Sequence, residues 1–385
     1  MVMSERVLLK GIAWDHPRGS EPLRATSIAF AKKNLNVSIE WDFRTLKEFG
    51  DLPINDLITQ YDLITIDHPF MGEVDEKKLL IPLEDFIPAS DLITLECQSV
   101  GPSFESYRYK SHLYALPIDA SALVSAYRDD LITNLNIQPP FERNSLFEFY
   151  KKIPNDFKVA MPLCPTDLWC IFLTICVQDA GRNFIENKQF DGSIGVGALD
   201  ELKKHLNSVH PKSLNWNPIQ ILDYMGTNDD IIYCPFLFGY TNYSRGGFKK
   251  NLVTFGNSPI NPKNSVSTVL GGVGVSISSR CKFPEWAAKF INYLTKSKVQ
   301  ESIYTENGGQ PGNVKAWQNK ANNKLCNNYF KNTYSSMKSA YVRPRHSGWN
   351  RFQEKGAKLL HECLVKDLPS HESIKNLNQL YQTIV

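Results

Sequence analysis

No run of this sequence approaches the roughly 20 apolar residues that a membrane-crossing helix needs. There is no excess of charge of one sign: 43 basic against 40 acidic residues leave +3, too balanced to announce a nucleic-acid or membrane-surface partner. The cysteines, Cys97, Cys164, Cys170, Cys176, Cys234, Cys281, Cys326 and Cys363, form no C-x-x-C, and no pair has histidines at zinc-finger spacing. Scattered in this way they read as free, mostly buried thiols, which favours a reducing compartment. A phosphate-binding G-x-x-x-x-G-K-[ST] loop, a G-x-S-x-G nucleophile elbow, an H-E-x-x-H pair and an EF-hand loop are all missing. These absences exclude the commonest nucleotide, hydrolase and metalloprotease chemistries. No repeat or low-complexity tract occurs, and the Asn-rich piece Ala321 to Asn332 reads as surface.

What is present is a globular chain of 385 residues, too long for one ordinary core, so two lobes are expected. Arg6 to Ala13, Val37 to Trp41 and the nearly all-apolar Asp62 to Asp67 read as strands, with a helix from about Ser20 to Lys33 between the first two. Strands alternating with helices imply parallel pairing and right-handed crossovers. Ligands then bind beyond the carboxyl ends of the strands. Trp14 to Gly19 and His68-Pro69-Phe70 fall at that rim. Further on, Ala122 to Tyr127, Val159 to Pro162 and Ile231 to Pro235 read as strands. Leu146 to Lys152, Asp167 to Ala180, Gly195 to Asn207, Gly356 to Leu364 and Ser373 to Ile384 read as helices.

The stretch Thr268 to Gly312 organises the rest. It holds an apolar strand interrupted by Gly271 and Gly272, which marks a bulge or a close approach by backbone or ligand. Pro284 and Glu285 then stand at a helix start, and Ala287, Phe290, Ile291 and Leu294 mark one buried face. Gly308-Gly309-Gln310-Pro311-Gly312 closes the unit in a loop. Leu80-Ile-Pro-Leu83 and the hairpin Tyr107 to Asp119, turning at Lys110-Ser111, precede it.

In that order, these motifs resemble bacterial extracellular solute-binding protein family 1, the sugar-binding substrate-binding proteins of ABC transporters, over nearly the whole chain. The resemblance implies an α/β, two-lobed, type II periplasmic-binding-protein-like fold. Its mixed, mostly parallel sheets would be flanked by helices, with a ligand cleft between lobes that closes by hinge motion. One lobe would hold residues 1–118 and 267–325, the other 119–266 and 326–385. It also implies a membrane permease as partner, no nucleic acid and a monomer. No cofactor, metal or catalytic residue is expected, hence no enzyme.

The same resemblance selects candidate ligand residues. Trp14 is either a cleft aromatic or a ring wedged under its loop. His16 and Arg18 share that loop, Arg18 as ligand clamp or surface charge. His68 ends the third strand beside Asp67. The two pairs Asp15–His16 and Asp67–His68 show no recurring metal-ligand spacing. Asp119 would accept two hydroxyl hydrogen bonds, a common way to hold a sugar, or else form a salt bridge. Tyr233, Tyr240 and Tyr243 would supply an aromatic platform, with one or two of them in the core. As cleft side chains, Asp119 and Tyr240 or Tyr243 would be removable at little expense to folding. Gly271 and Gly272 would bring backbone to the cleft. Arg343 and Arg345 would suit a carboxylate if they are not merely solvated. Carbohydrate and organic acid therefore both stay open as ligands.

Three functions compete: an importer's solute receptor, a cytoplasmic sensor and an enzyme on the same scaffold. Family members are exported to the periplasm or cell surface, whereas Met1 to Gly11 shows no apolar stretch of signal-peptide length. Either an export signal was removed or the protein works in the cytoplasm.

Overall fold

The structure, a computed structural model, describes residues 6–51 and 54–384. Residues 1–5, which carry the beginning of the N-terminal stretch read above, lie outside the described residues. The chain divides into two compact units. Met1–Ala120, Gly271–Leu325 and Pro344–Ser347 form the first, and Ser121–Leu270, Cys326–Arg343 and Gly348–Val385 the second. Each has its own apolar core.

In the first unit, β1 (Val7–Trp14) pairs in parallel with β2 (Val37–Arg44) along its whole length, from Val7 opposite Val37 to Trp14 opposite Arg44. Its other edge takes β3 (Leu63–Ile66), also parallel and fully buried. Parallel neighbours need a crossover, and α1 (Pro17–Lys33) supplies the first. This helix starts three residues before the expected Ser20, because Pro17 sits at its first position and the His16 imidazole caps it. Histidine is not among the usual capping residues, so only Pro17 marked this start in the sequence.

The hairpin is present as Arg108–Tyr109 against His112–Leu113, with Lys110 in the left-handed conformation at the turn. It leads into β4 (Ala115–Tyr127), one unbroken strand whose first six residues belong to the first unit and the rest to the second. The strand expected from Ala122 begins seven residues earlier and already includes Asp119, and every residue from Ala115 to Ala126 is buried.

In the second unit, β5 (Lys158–Val159) precedes α2 (Pro165–Ala180), α3 (Gly192–Leu206), β6 (Ile231–Phe238) and β7 (Thr254–Gly256). Both β6 and β7 run antiparallel to β4, whereas β5 runs parallel to β6, so this sheet is mixed. Helix α2 is buried from Asp167 to Gln178, with Trp169 packed among Phe172, Phe190, Trp349 and Phe352.

The chain returns through β8 (Leu270–Ile277), antiparallel to β3 with Gly274 opposite Ile66. Next, α4 (Pro284–Thr295) carries Pro284 in its first turn and buries Ala287, Phe290, Ile291 and Leu294, the face its periodicity marked. Beyond it the Asn-rich piece is not all surface. Asn322 and Asn323 are buried and donate to the carbonyls of Ala316 and Trp317, satisfying the open end of the helix Val314–Gln318. Two helices of the second unit, α5 (Trp349–Lys366) and α6 (Ser370–Ile384), close the chain, each longer than its periodic core.

Among the described residues, no helix is long and apolar enough to cross a membrane. All eight cysteines are thiols, five of them buried.

Candidate functional site

In the first unit, the end of β1 and the start of α1 hold a buried polar group. Arg18 stands in the first turn of α1, and its guanidinium faces the carboxylate of Asp119 on β4. Arg18 Nε donates to Oδ2 at 2.8 Å, and Nη2 donates to Oδ1. Both side chains are buried, Arg18 at 4% and Asp119 at 1% exposure. Burial pushes the Asp119 carboxyl above its ordinary value, and Arg18 opposes that. His16 uses Nδ1 to accept from the Arg18 amide at 3.0 Å, so it holds the turn that aims the arginine. Of a carboxylate's four or so lone-pair sites, the fork takes two.

Gln310 and Tyr304, not singled out from sequence, complete this group. Gln310 Nε2 donates to the Ala120 carbonyl at 2.8 Å, and the Ala120 amide donates back to the Gln310 carbonyl at 3.0 Å. Tyr304 lies in the field of both Asp119 and Arg18 and is fully buried. The glycine-rich loop marked Gln310's neighbourhood, but nothing in the spacing pointed to Tyr304.

Trp14 is packed beneath the loop that follows it. It is the last residue of β1, buried at 5.8 Å from Phe49, and its indole lies so close to Gly19 that a Cβ there would come within 2.5 Å. His68 is buried, with Nδ1 3.0 Å from Asp67 Oδ1 and its ring edge-on to Tyr107 at 6.4 Å. Gly271 and Gly272 begin the first unit's share of β8, both part-exposed, and Gly272 has φ +115°. That conformation favours glycine.

Arg345 is part-buried, and one prong of its fork is spent on main chain. Its Nη1 donates to the carbonyls of Glu105 at 2.6 Å, Ser106 at 3.1 Å and Arg108. It thereby fastens Pro344–Ser347 to the root of the hairpin within the first unit. Gly72 admits this segment, because a Cβ there would lie 2.1 Å from the Arg345 carbonyl oxygen.

In the second unit, Arg343 is buried and donates to Gln353 Oε1 at 3.2 Å. Tyr233 stands inside β6, fully buried and edge-on to Phe149 at 5.0 Å, a core position. Tyr240 and Tyr243 are neighbours, 6.4 Å apart and edge-to-face, and both are buried. Tyr243 donates to Asp223 Oδ1 at 2.9 Å. A second buried acid, Asp167 in the first turn of α2, also escaped notice. The Cys164 thiol donates to its Oδ2 at 3.0 Å, yet burial pushes its pKa up to about 7. Among the described residues, no cluster of three or more histidine, cysteine or acidic side chains could hold a metal ion.

The comparisons give this arrangement its class. A family model described as bacterial extracellular solute-binding protein matches residues 29–324, and the chain belongs to that family. Its architecture is shared with maltose-bound MalE3 of T. maritima, at 16% identity and a TM-score of 0.84, covering 98% of this chain and 100% of that one. The ribitol complex of an ABC transporter solute-binding protein from Agrobacterium radiobacter K84 matches at 16% identity and 0.84, over 99% of each chain. A D-mannitol-bound protein of the same kind from Agrobacterium vitis S4 matches at 15% and 0.79, over 98% and 97%. A search of curated proteins returns no match. The family binds solutes, and the fold is the type II periplasmic-binding-protein fold.

Proposed function

We propose that the protein is the solute-binding component of an ABC importer and takes a small neutral polyhydroxy solute, a sugar or polyol. It would act outside the cytoplasm, as a monomer, and deliver its cargo to a membrane permease without converting it. The observation that carries the reading is the buried Arg18–Asp119 pair. The fork neutralises the carboxylate yet leaves it lone pairs for solute hydroxyl groups, as a neutral ligand requires. An organic acid would need a fork of its own. Arg18 is engaged by Asp119, Arg343 by Gln353 and Arg345 by three main-chain carbonyls. Maltose, ribitol and D-mannitol in the structures named above are all neutral polyhydroxy compounds, which supports the same class.

Titration calorimetry with maltose, ribitol, D-mannitol, D-tagatose, citrate and gluconate tests this, alongside mass spectrometry of each mixture after prolonged incubation. Binding of a neutral compound that is recovered unchanged is the expected result. Binding confined to the acids, or conversion of any compound, would overturn it.

A further inference from the structure

Tyr304 stands in a segment whose geometry departs from the surrounding helices. Residues Gln300–Tyr304 form a π-helical turn, packed against α1. Such turns carry one extra residue, re-aim the side chains that follow and recur at functional sites. The ring of Tyr304 packs against Gly309: a Cβ there would approach it to 2.4 Å, so only glycine fits. The next residues, Gln310 and Pro311, are registered on β4 by the Gln310–Ala120 hydrogen bonds and the bridge between Pro311 and Asp119. The π turn, the glycine and the bridge together bring the ring into the field of the Arg18–Asp119 pair.

The tyrosine is 0% exposed, and among the described residues its hydroxyl has no hydrogen-bond partner. A phenylalanine would fill the same space without burying an unsatisfied polar atom, which costs stability. The hydroxyl is thus a donor that the folded chain does not use.

We propose that Tyr304 is a further solute contact, its hydroxyl donating to an oxygen of the solute whose own hydroxyl donates to Asp119. This rests on the neutral polyhydroxy reading given above. A solute hydroxyl can accept from Tyr304 while donating to the carboxylate, whereas an ether or a methyl group at that position cannot do both. Burial keeps the phenol well above its ordinary pKa, so it remains a donor across the physiological range.

The test is Tyr304→Phe, titrated with whichever of maltose, ribitol, D-mannitol or D-tagatose the parent binds, and melted without solute. Affinity should fall about tenfold while the solute-free melting temperature stays level or rises. Unchanged affinity overturns the inference and leaves the solute reading standing. A fall in both affinity and solute-free melting temperature also overturns it, because general loosening gives that result. A parent that binds none of the four removes the solute reading, and this inference with it.

Discussion

Arg18 and Asp119, 101 positions apart, meet as a buried two-pronged ion pair, with Nε 2.8 Å from Oδ2. Read as a cleft acid, Asp119 was expected to be removable at little expense to folding. The pairing reverses that expectation. Asp119→Ala strands a buried guanidinium and should cost about 3–5 kcal/mol in urea unfolding, whereas Arg18→Met with Asp119→Leu should recover most of the loss. Single variants as stable as the parent would contradict the pair's burial.

Asp167 sets a pH dependence. Its folded pKa of about 7 lies above the ordinary 3.8, so the native state holds a proton that the unfolded chain releases. This contribution is complete below about pH 4 and is lost as pH rises toward 7, amounting to roughly 4 kcal/mol. Asp167→Asn mimics the protonated form. Its stability relative to the parent should grow between pH 4 and 7 and then level off. A gap that does not change with pH refutes the shift.

Gly72 and Arg345 should fail together. Gly72→Ala places a methyl 2.1 Å from the Arg345 carbonyl oxygen, and Arg345→Ala releases three main-chain carbonyls. Each should cost about 1–3 kcal/mol. Because they disturb one anchor, the double variant should lose less than the sum. Calorimetric affinity of an otherwise folded Arg345→Ala protein for its solute should match the parent's, and loss of binding would restore Arg345 as a clamp.

Tyr243 tests the aromatic reading. The ring is buried against Tyr240 and Phe248, and its hydroxyl donates to Asp223. Tyr243→Phe should cost about 0.5–1.5 kcal/mol for the hydrogen bond, and Tyr243→Ala about 3–5 kcal/mol. Near-parent thermal stability of Tyr243→Ala would show that the ring is not structural.

What the sequence determined by itself is local. Pro284 and the spacing of Ala287, Phe290, Ile291 and Leu294 specify a helix and its buried face, because 3.6 residues per turn put those side chains on one side. The apolar run Leu63–Ile66 specifies a strand covered on both faces. Motif order was enough for the fold class, since each motif is a strand end, hairpin or helix start with its own short-range chemistry. The fate of the charged and polar candidates was decided only by the tertiary structure. Nothing near Arg18 announces Asp119, and Arg345 reaches carbonyls more than 230 residues earlier. A cap made by His16, a π turn at Tyr304 and the buried amides of Asn322 and Asn323 leave no periodic trace either. A hydrophobic pattern records which face is dry. The partner of a buried polar group is chosen by whichever distant backbone or side chain folding brings within about 3 Å.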